Sequence, residues 1–247
     1  MSRGNEAAAN RPILEARDLS KQFGGTAALK GVTFSAAAGE IVGLIGPNGA
    51  GKTTLLNLLS GVLRPTTGRV LFKGRDLAGL KAHAVARMGI ARTLQTPRSF
   101  PSMSVLENVA VGAMFGRPHG HLDHATRCLE LVGLGARGDS PMSSLNLQER
   151  KSIELARALA MAPSVVLIDE AMSGLNPTEI EDSMRLIRRV RDETGVTIIW
   201  VEHVVKAIMA VVERILVLNF GEIIACGSPS DIARNDAVIE AYLGTAA

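Results

Sequence analysis

GPNGAGKT, residues 46–53, is the stretch that decides how the rest of the chain folds. Gly46, Gly49 and Gly51 let a backbone turn sharply and aim successive N–H groups into one concavity. Lys52 adds a compact positive charge and Thr53 a hydroxyl. The residues just before, EIVGLI (40–45), are nearly all apolar, as expected for a strand covered on both faces. The residues just after, KTTLLNLLSGV (52–62), have helical spacing. Strand, glycine loop, lysine and hydroxyl, then helix, is the context in which G-x-x-x-x-G-K-[ST] binds a polyphosphate. Loop N–H groups and a helix N-terminus cradle the phosphates, the lysine reaches the terminal ones, and the hydroxyl faces Mg²⁺. Gly46, Pro47, Asn48, Gly49, Ala50, Gly51, Lys52, Thr53 and Thr54 are therefore the candidate nucleotide-binding residues.

A second apolar run, SVVLIDE (164–170), ends in adjacent carboxylates. At the carboxyl end of a parallel strand these would lie beside the phosphate loop, where open α/β sheets bind ligands. Asp169 then suits Mg²⁺, held through water, and Glu170 suits the orientation or deprotonation of an attacking water.

Outward from these two motifs, strand and helix patterns alternate. PTEIEDSMRLIRRVRDETG (177–195) is an amphipathic helix with Pro177 near its start. VTIIWVEH (196–203) is a strand, and ERILVLNFGEIIACG (213–227) a strand pair around Gly221. Toward the amino end, ILEARDLS, VTFSAA and GRVLFKG suit an antiparallel sheet. The middle, roughly 78–163, is mostly helical, with SVLENVAVGAMFG, HATRCLELVGL and SSLNLQERKSIELARALA as candidates. In the last, Asn146 can cap the helix and Glu149 can complete a capping box, leaving an anion-facing N-terminus. The expected fold is α/β: a phosphate-loop NTPase with a parallel-sheet core, an amino-terminal antiparallel sheet and an inserted helical subdomain at about residues 88–163. One unit over 13–247 follows an expected disordered tail over 1–12.

Composition narrows the function. The chain of 247 residues carries a net charge of +3 and only 3% aromatics, which argues against nucleic acid as a partner. No apolar run is long enough to span a bilayer, and the start, MSRGNEAAANRP, lacks the apolar centre of a secretory signal. A mean hydropathy of +0.20 points to surface buried by partners. Cys128 and Cys226 form no metal spacing and are expected to be reduced, buried thiols. His119, His121, Asp123 and His124 are close enough to raise a metal site, but the surrounding Gly and Pro favour surface-loop histidines.

From about residue 13 to the end, the ordered set of motifs resembles the ATP-binding cassette (ABC) ATPases. The resemblance implies ATP and Mg²⁺ as ligands and assigns roles to residues that spacing alone leaves open. Phe23 would stack on adenine. Gln95, in RTLQTPRSF, would sense Mg²⁺ and the water, so that Thr53, Gln95 and Asp169 form the metal set. Lys52, Gln95, Glu170 and His203 would form the catalytic set, His203 as the γ-phosphate histidine. SGLNP, with Ser173, Gly174, Leu175 and Asn176, resembles the intersubunit loop. Aligning on ELARALA puts Leu145, Asn146, Leu147, Gln148 and Glu149 on the signature that faces ATP in a second subunit; a shift of one residue would instead put Gln148 on the family's glutamine. Here Gln148 stands where the family has glycine, and Glu149 brings a negative charge near an anion. FGGTAALKGVTF, SGLNPTE and AVIEAYLG resemble the branch for branched-chain and hydrophobic amino acid uptake. That branch implies a peripheral subunit on the cytoplasmic face of the inner membrane, paired head to tail with a second ATP-binding subunit, identical or different. Its partners would be separate permease chains and, indirectly, a solute-binding protein. Uptake of urea, an amide or an aromatic acid is the neighbouring expectation. Outside transport, a ribosome- or DNA-acting cassette protein and a weakly hydrolysing regulatory module are the rivals.

Overall fold

The computed structural model describes residues 12–116 and 120–243. Except for Pro12, the expected tail over 1–12 lies outside the described residues, as does His119. In chain order come β1 (Leu14–Phe23), β2 (Thr26–Ala36), β3 (Ile41–Ile45), α1 (Lys52–Leu59), β4 (Thr67–Phe72), β5 (Arg75–Asp76), α2 (Ala82–Met88) and β6 (Ile90–Arg92). Next are α3 (Val105–Gly116), α4 (His121–Leu131), α5 (Leu147–Ala160), β7 (Val165–Asp169), α6 (Pro177–Thr194) and β8 (Thr197–Val201). The chain closes with α7 (Val205–Val211), β9 (Arg214–Asn219), β10 (Glu222–Gly227), α8 (Pro229–Ile232) and α9 (Asp236–Leu243).

Two sheets result. One is antiparallel with strand order β2-β1-β4-β5. The other has order β10-β9-β3-β8-β7-β6 and is parallel except for the β9–β10 hairpin. Strand β8 thus lies between the strand that feeds the phosphate loop and the strand that ends in the carboxylates.

The apolar runs are explained by burial on both faces. Every residue of β3, β7 and β8 is buried. Alternate side chains enter two separate cores. Ile41, Ile45, Val166, Ile168, Ile198 and Trp200 join one, packed with residues of α5, α6 and α7. Val42, Leu44, Val165, Leu167, Ile199 and Val201 join the other, with α1 and the antiparallel sheet. Each fully buried aliphatic chain contributes about 1.5–3 kcal/mol, so the three strands anchor everything at their carboxyl ends. In the middle of the chain, α3, α4 and α5 pack on one another.

Three expectations change. The strand β6 pairs in parallel with β7, although three residues are too few to show a period in the sequence. His121, Asp123 and His124 belong to the first turn of α4 rather than to a loop, and His124 Nε2 lies 3.8 Å from Cys128 Sγ. Among the described residues no group of three or more His, Cys, Asp or Glu could hold a metal ion. Cys128 is buried as expected, but Cys226 is exposed, because β10 is the sheet's edge and carries its thiol toward Arg214 and solvent.

Candidate active site

The phosphate loop leaves β3 and is bent by contacts that only glycine permits. Gly46 has φ 155°, and a Cβ there would meet the Leu218 carbonyl oxygen at 2.0 Å. Gly51 has φ 107°, and its Cβ would meet the Ala28 carbonyl oxygen at 2.6 Å. Gly51 is also the N-cap of α1, and among the described residues that helix end has no side-chain cap. Its free N–H groups remain available to an anion, reinforced by the helix dipole. Lys52 is buried and donates to the carbonyl oxygens of Gly46 (2.7 Å) and Pro47 (2.9 Å). Burial lowers its pKa, against the opposing pull of Glu170 and Asp169.

Asp169 ends β7, 4% exposed, and pairs at 2.8 Å with Arg92 from β6. The same guanidinium donates to Asn57 Oδ1 on α1 at 2.5 Å, so one cation ties the carboxylate strand to the phosphate-loop helix. Its Nε is buried with no partner among the described residues. The sequence reading missed Arg92; its position three residues before Gln95, in a short apolar stretch, was the available signal.

Glu170 follows with φ 49°, a conformation uncommon outside glycine and costing about 1–3 kcal/mol where it persists. Its amide donates to Val201 O at 2.9 Å, fixing it to the end of β8. The Gln95 amide nitrogen donates to Glu170 Oε2, and His203 Nε2 lies 2.6 Å from Oε1. Three strand ends, those of β6, β7 and β8, therefore converge on one carboxylate. A carboxylate held between an amide and an imidazole, at the rim of a phosphate cradle, can orient a water and take its proton.

The loop carrying Gln95 is clamped to the helices. Arg98 N donates to Glu154 Oε1 (2.7 Å), and Arg157 Nη2 donates to Arg98 O (2.6 Å). Fully buried Asn108 accepts from Phe100 N (2.8 Å) and donates to Ser104 O (2.9 Å). Glu154, Arg157 and Asn108 were not singled out in the sequence, since the loop atoms they hold are backbone atoms.

The start of α5 is closed by its own residues. Glu149 N donates to Asn146 Oδ1 (2.8 Å), and Asn146 N donates to Glu149 Oε2 (2.9 Å). Arg137 pairs with Glu149 at 3.3 Å. Gln148 reaches the Glu179 carbonyl at 3.4 Å, while Leu147 is exposed and lies against Gly174. The loop Ser173–Asn176 leads into α6 with the same device, Asn176 and Glu179 exchanging bonds of 3.0 and 2.9 Å. Phe23, on the antiparallel sheet, is 48% exposed with the Lys21 ammonium 5.1 Å from its ring centre. Lys52, Asp169, Glu170, Gln95 and His203 thus share one centre.

Comparison with known proteins gives a consistent set. Residues 29–173 match the family described as ABC transporter, and residues 222–247 match the one described as branched-chain amino acid ATP-binding cassette transporter. The high-affinity branched-chain amino acid transport ATP-binding protein BraF of Pseudomonas aeruginosa is 36% identical over 96% of this chain and 100% of its own. An ATP-binding cassette of an ABC transporter solved in its ADP conformation superposes with a TM-score of 0.87 at 29% identity, covering 95% of this chain and 100% of that one. A dimeric cassette in a post-hydrolysis state, bound to ADP and Pi, gives a TM-score of 0.77 at 26% identity, over 87% and 98% of the two chains.

Proposed function

Since this chain belongs to the ABC transporter family and is one of its ATP-hydrolysing, ATP-binding subunits, we propose that it powers uptake of branched-chain or other hydrophobic amino acids. The carboxyl-terminal match and the relative named for that cargo support the choice of solute. Glu170 is the general base, held by Gln95 and His203 beside the phosphate cradle; that constellation is the observation on which the mechanism rests. Lys52 leaves the carbonyls of Gly46 and Pro47 to bind the terminal phosphates, with the N–H groups from Asn48 to Thr54 around them. Phe23, exposed at the end of β1, stacks on the adenine.

The residues fit Mg²⁺. The Thr53 hydroxyl, the Asp169 carboxylate and the carbonyl oxygen of Gln95, whose N–H group goes to Glu170, are hard oxygen donors of the kind that ion prefers. Bound there, it would neutralise charge on the terminal phosphates. Arg92 holds Asp169 ready and keeps it from turning away.

We further propose a head-to-tail dimer in which Asn146–Glu149 and Ser173–Asn176 face ATP bound by the partner. Leu94, Phe100, Met103, Met114 and Phe115 are exposed apolar side chains on the Gln95 loop and α3. They would receive cytoplasmic helices of separate permease chains, placing the subunit on the inner membrane's cytoplasmic face; a solute-binding protein acts from the other side. No described helix is long and apolar enough to cross a membrane. The unit over 13–247, with its helical arm, is the body that docks.

The test is reconstitution with the permease chains in vesicles. ATP turnover should rise when a branched-chain amino acid is delivered by its binding protein, and Glu170→Gln should abolish both turnover and uptake while ATP still binds. Turnover responding to urea, an amide or an aromatic acid instead would reassign the cargo. Recovery with ribosomes and without membrane protein would remove transport altogether.

A further inference from the structure

The turn that carries Glu170 is gripped from two other elements. Lys151, in the second turn of α5, donates to Ser173 O (2.7 Å) and Glu170 O (3.2 Å). Glu202, between β8 and His203, accepts from Met172 N at 2.7 Å. Within the turn, Ser173 N donates to Glu170 O at 3.3 Å. Lys151 and Glu202 attract each other electrostatically across it.

Glu202 is only 1% exposed. Burial pushes its pKa up, opposed by the Met172 amide. Burial likewise lowers that of Lys151, opposed by Glu202 and then Glu170. Charges buried or half-buried in this way are poor stability devices, because desolvation opposes whatever their attraction returns. What the pair does supply is position. Glu170 sits at φ 49°, and such a backbone persists only where its surroundings over-determine it.

We infer that Lys151 and Glu202 are positioning residues for ATP hydrolysis, setting the 170–173 turn and linking α5 to the Glu170 carboxylate. Moving α5 shifts Lys151, and with it the carbonyl of the residue that must face the water. The start of α5 and the 173–176 loop, both proposed to face a partner's nucleotide, thereby act on this subunit's own base. The inference rests on the reading of Glu170 as that base.

The experiment is steady-state ATP turnover and nucleotide binding of the purified full chain with Mg²⁺, for wild type, Lys151→Gln, Lys151→Arg, Glu202→Gln, Glu202→Leu and Lys151→Gln/Glu202→Gln. Lys151→Gln and Glu202→Leu should lower kcat by roughly ten- to a hundredfold, the scale on which a misplaced catalytic group costs rate. KM and the nucleotide Kd should stay within about threefold, as for a group acting only in the transition state. Lys151→Arg should recover most of the rate, and Glu202→Gln, which keeps the acceptor for Met172, should lose less than Glu202→Leu. The double variant should lose less than the product of its singles, because both act on one turn. Parental kcat in a folded Lys151→Gln protein overturns the inference, even if Glu202→Leu fails to fold. So does a loss that moves KM and kcat together and that arginine does not rescue. Glu170→Gln separates the two levels: turnover persisting there sinks the catalytic reading itself, whereas its loss beside an unaffected Lys151→Gln sinks only this inference.

Discussion

Helices α1 and α5 both begin where an anion would be welcome, yet their first turns are built in opposite ways. At α1 the cap is Gly51, in the left-handed region, with no side-chain cap among the described residues. At α5 the cap is Asn146, answered by Glu149, and Arg137 neutralises the carboxylate. The first end keeps its donors for a ligand; the second spends two of them internally. Helix propensity and dipole are the same in kind at both. What separates the proposed phosphate site from a self-capped helix start is therefore whether the flanking residues compete for the same hydrogen bonds. The contrast also settles the charge of Glu149, which turns back into the box and Arg137 rather than facing outward unpaired.

The contrast can be broken most decisively at Lys52. Lys52→Ala should reduce ATP turnover at least about a thousandfold, since a charge aimed at developing negative charge in a shielded site is worth that much or more. Turnover at the parental rate would mean that the open end of α1 is not the phosphate site. Next in size is Gly51→Ala. The added Cβ meets a backbone oxygen at 2.6 Å and the φ is one that alanine avoids. A loss of about 2–3 kcal/mol in chemical denaturation, together with weakened ATP binding, is expected. A smaller effect separates the other end: Asn146→Ala should cost about 1 kcal/mol of stability and leave ATP binding by the isolated subunit untouched. If instead it weakened that binding, the two ends would not be independent.

The smallest effect is one of pH. Burial holds the Lys52 pKa below its ordinary 10.5. Between the two values the unfolded chain binds more protons than the folded one, so stability rises with pH in that alkaline window. Thermal unfolding of wild type against Lys52→Met from about pH 8 to about pH 10.5 should show wild type gaining relative to the variant as pH rises. A flat difference would show that the folded protein leaves the ammonium unshifted, and one reversed in sign that the Glu170 and Asp169 carboxylates outweigh burial.

The parts of the fold and site legible in the sequence are those written in contiguous residues. The phosphate loop, the 169–170 carboxylates and the Asn146–Glu149 box each lie within eight residues or fewer of chain, and their spacing carries the physics. The apolar strands were legible because burial on both faces confines polar residues to their ends, at Asp169 and Thr197. Long-range pairings were not. Arg92 meets Asp169 across 77 positions, and Glu202 meets the Met172 amide across 30. The residues around them do not reveal these partners, which lie far along the chain. Strand β6 was missed because its three residues owe their conformation to β7, and Cys226 because sheet edge and sheet centre look alike in a strand's own sequence. Phe23 and His203 became candidates only through the ordered family resemblance.

One feature of the cradle has a mechanical side. Ala50 O accepts from Gly221 N at 3.0 Å, Gly221 O accepts from Lys30 N at 2.8 Å, and Gly51 nests against Ala28. The loop is thus the stitch that joins the antiparallel sheet to the hairpin of the parallel one. Sliding either sheet over the other would have to shear those bonds first. A molecule filling the loop therefore sits against the join between the two sheets, not in a pocket belonging to one of them.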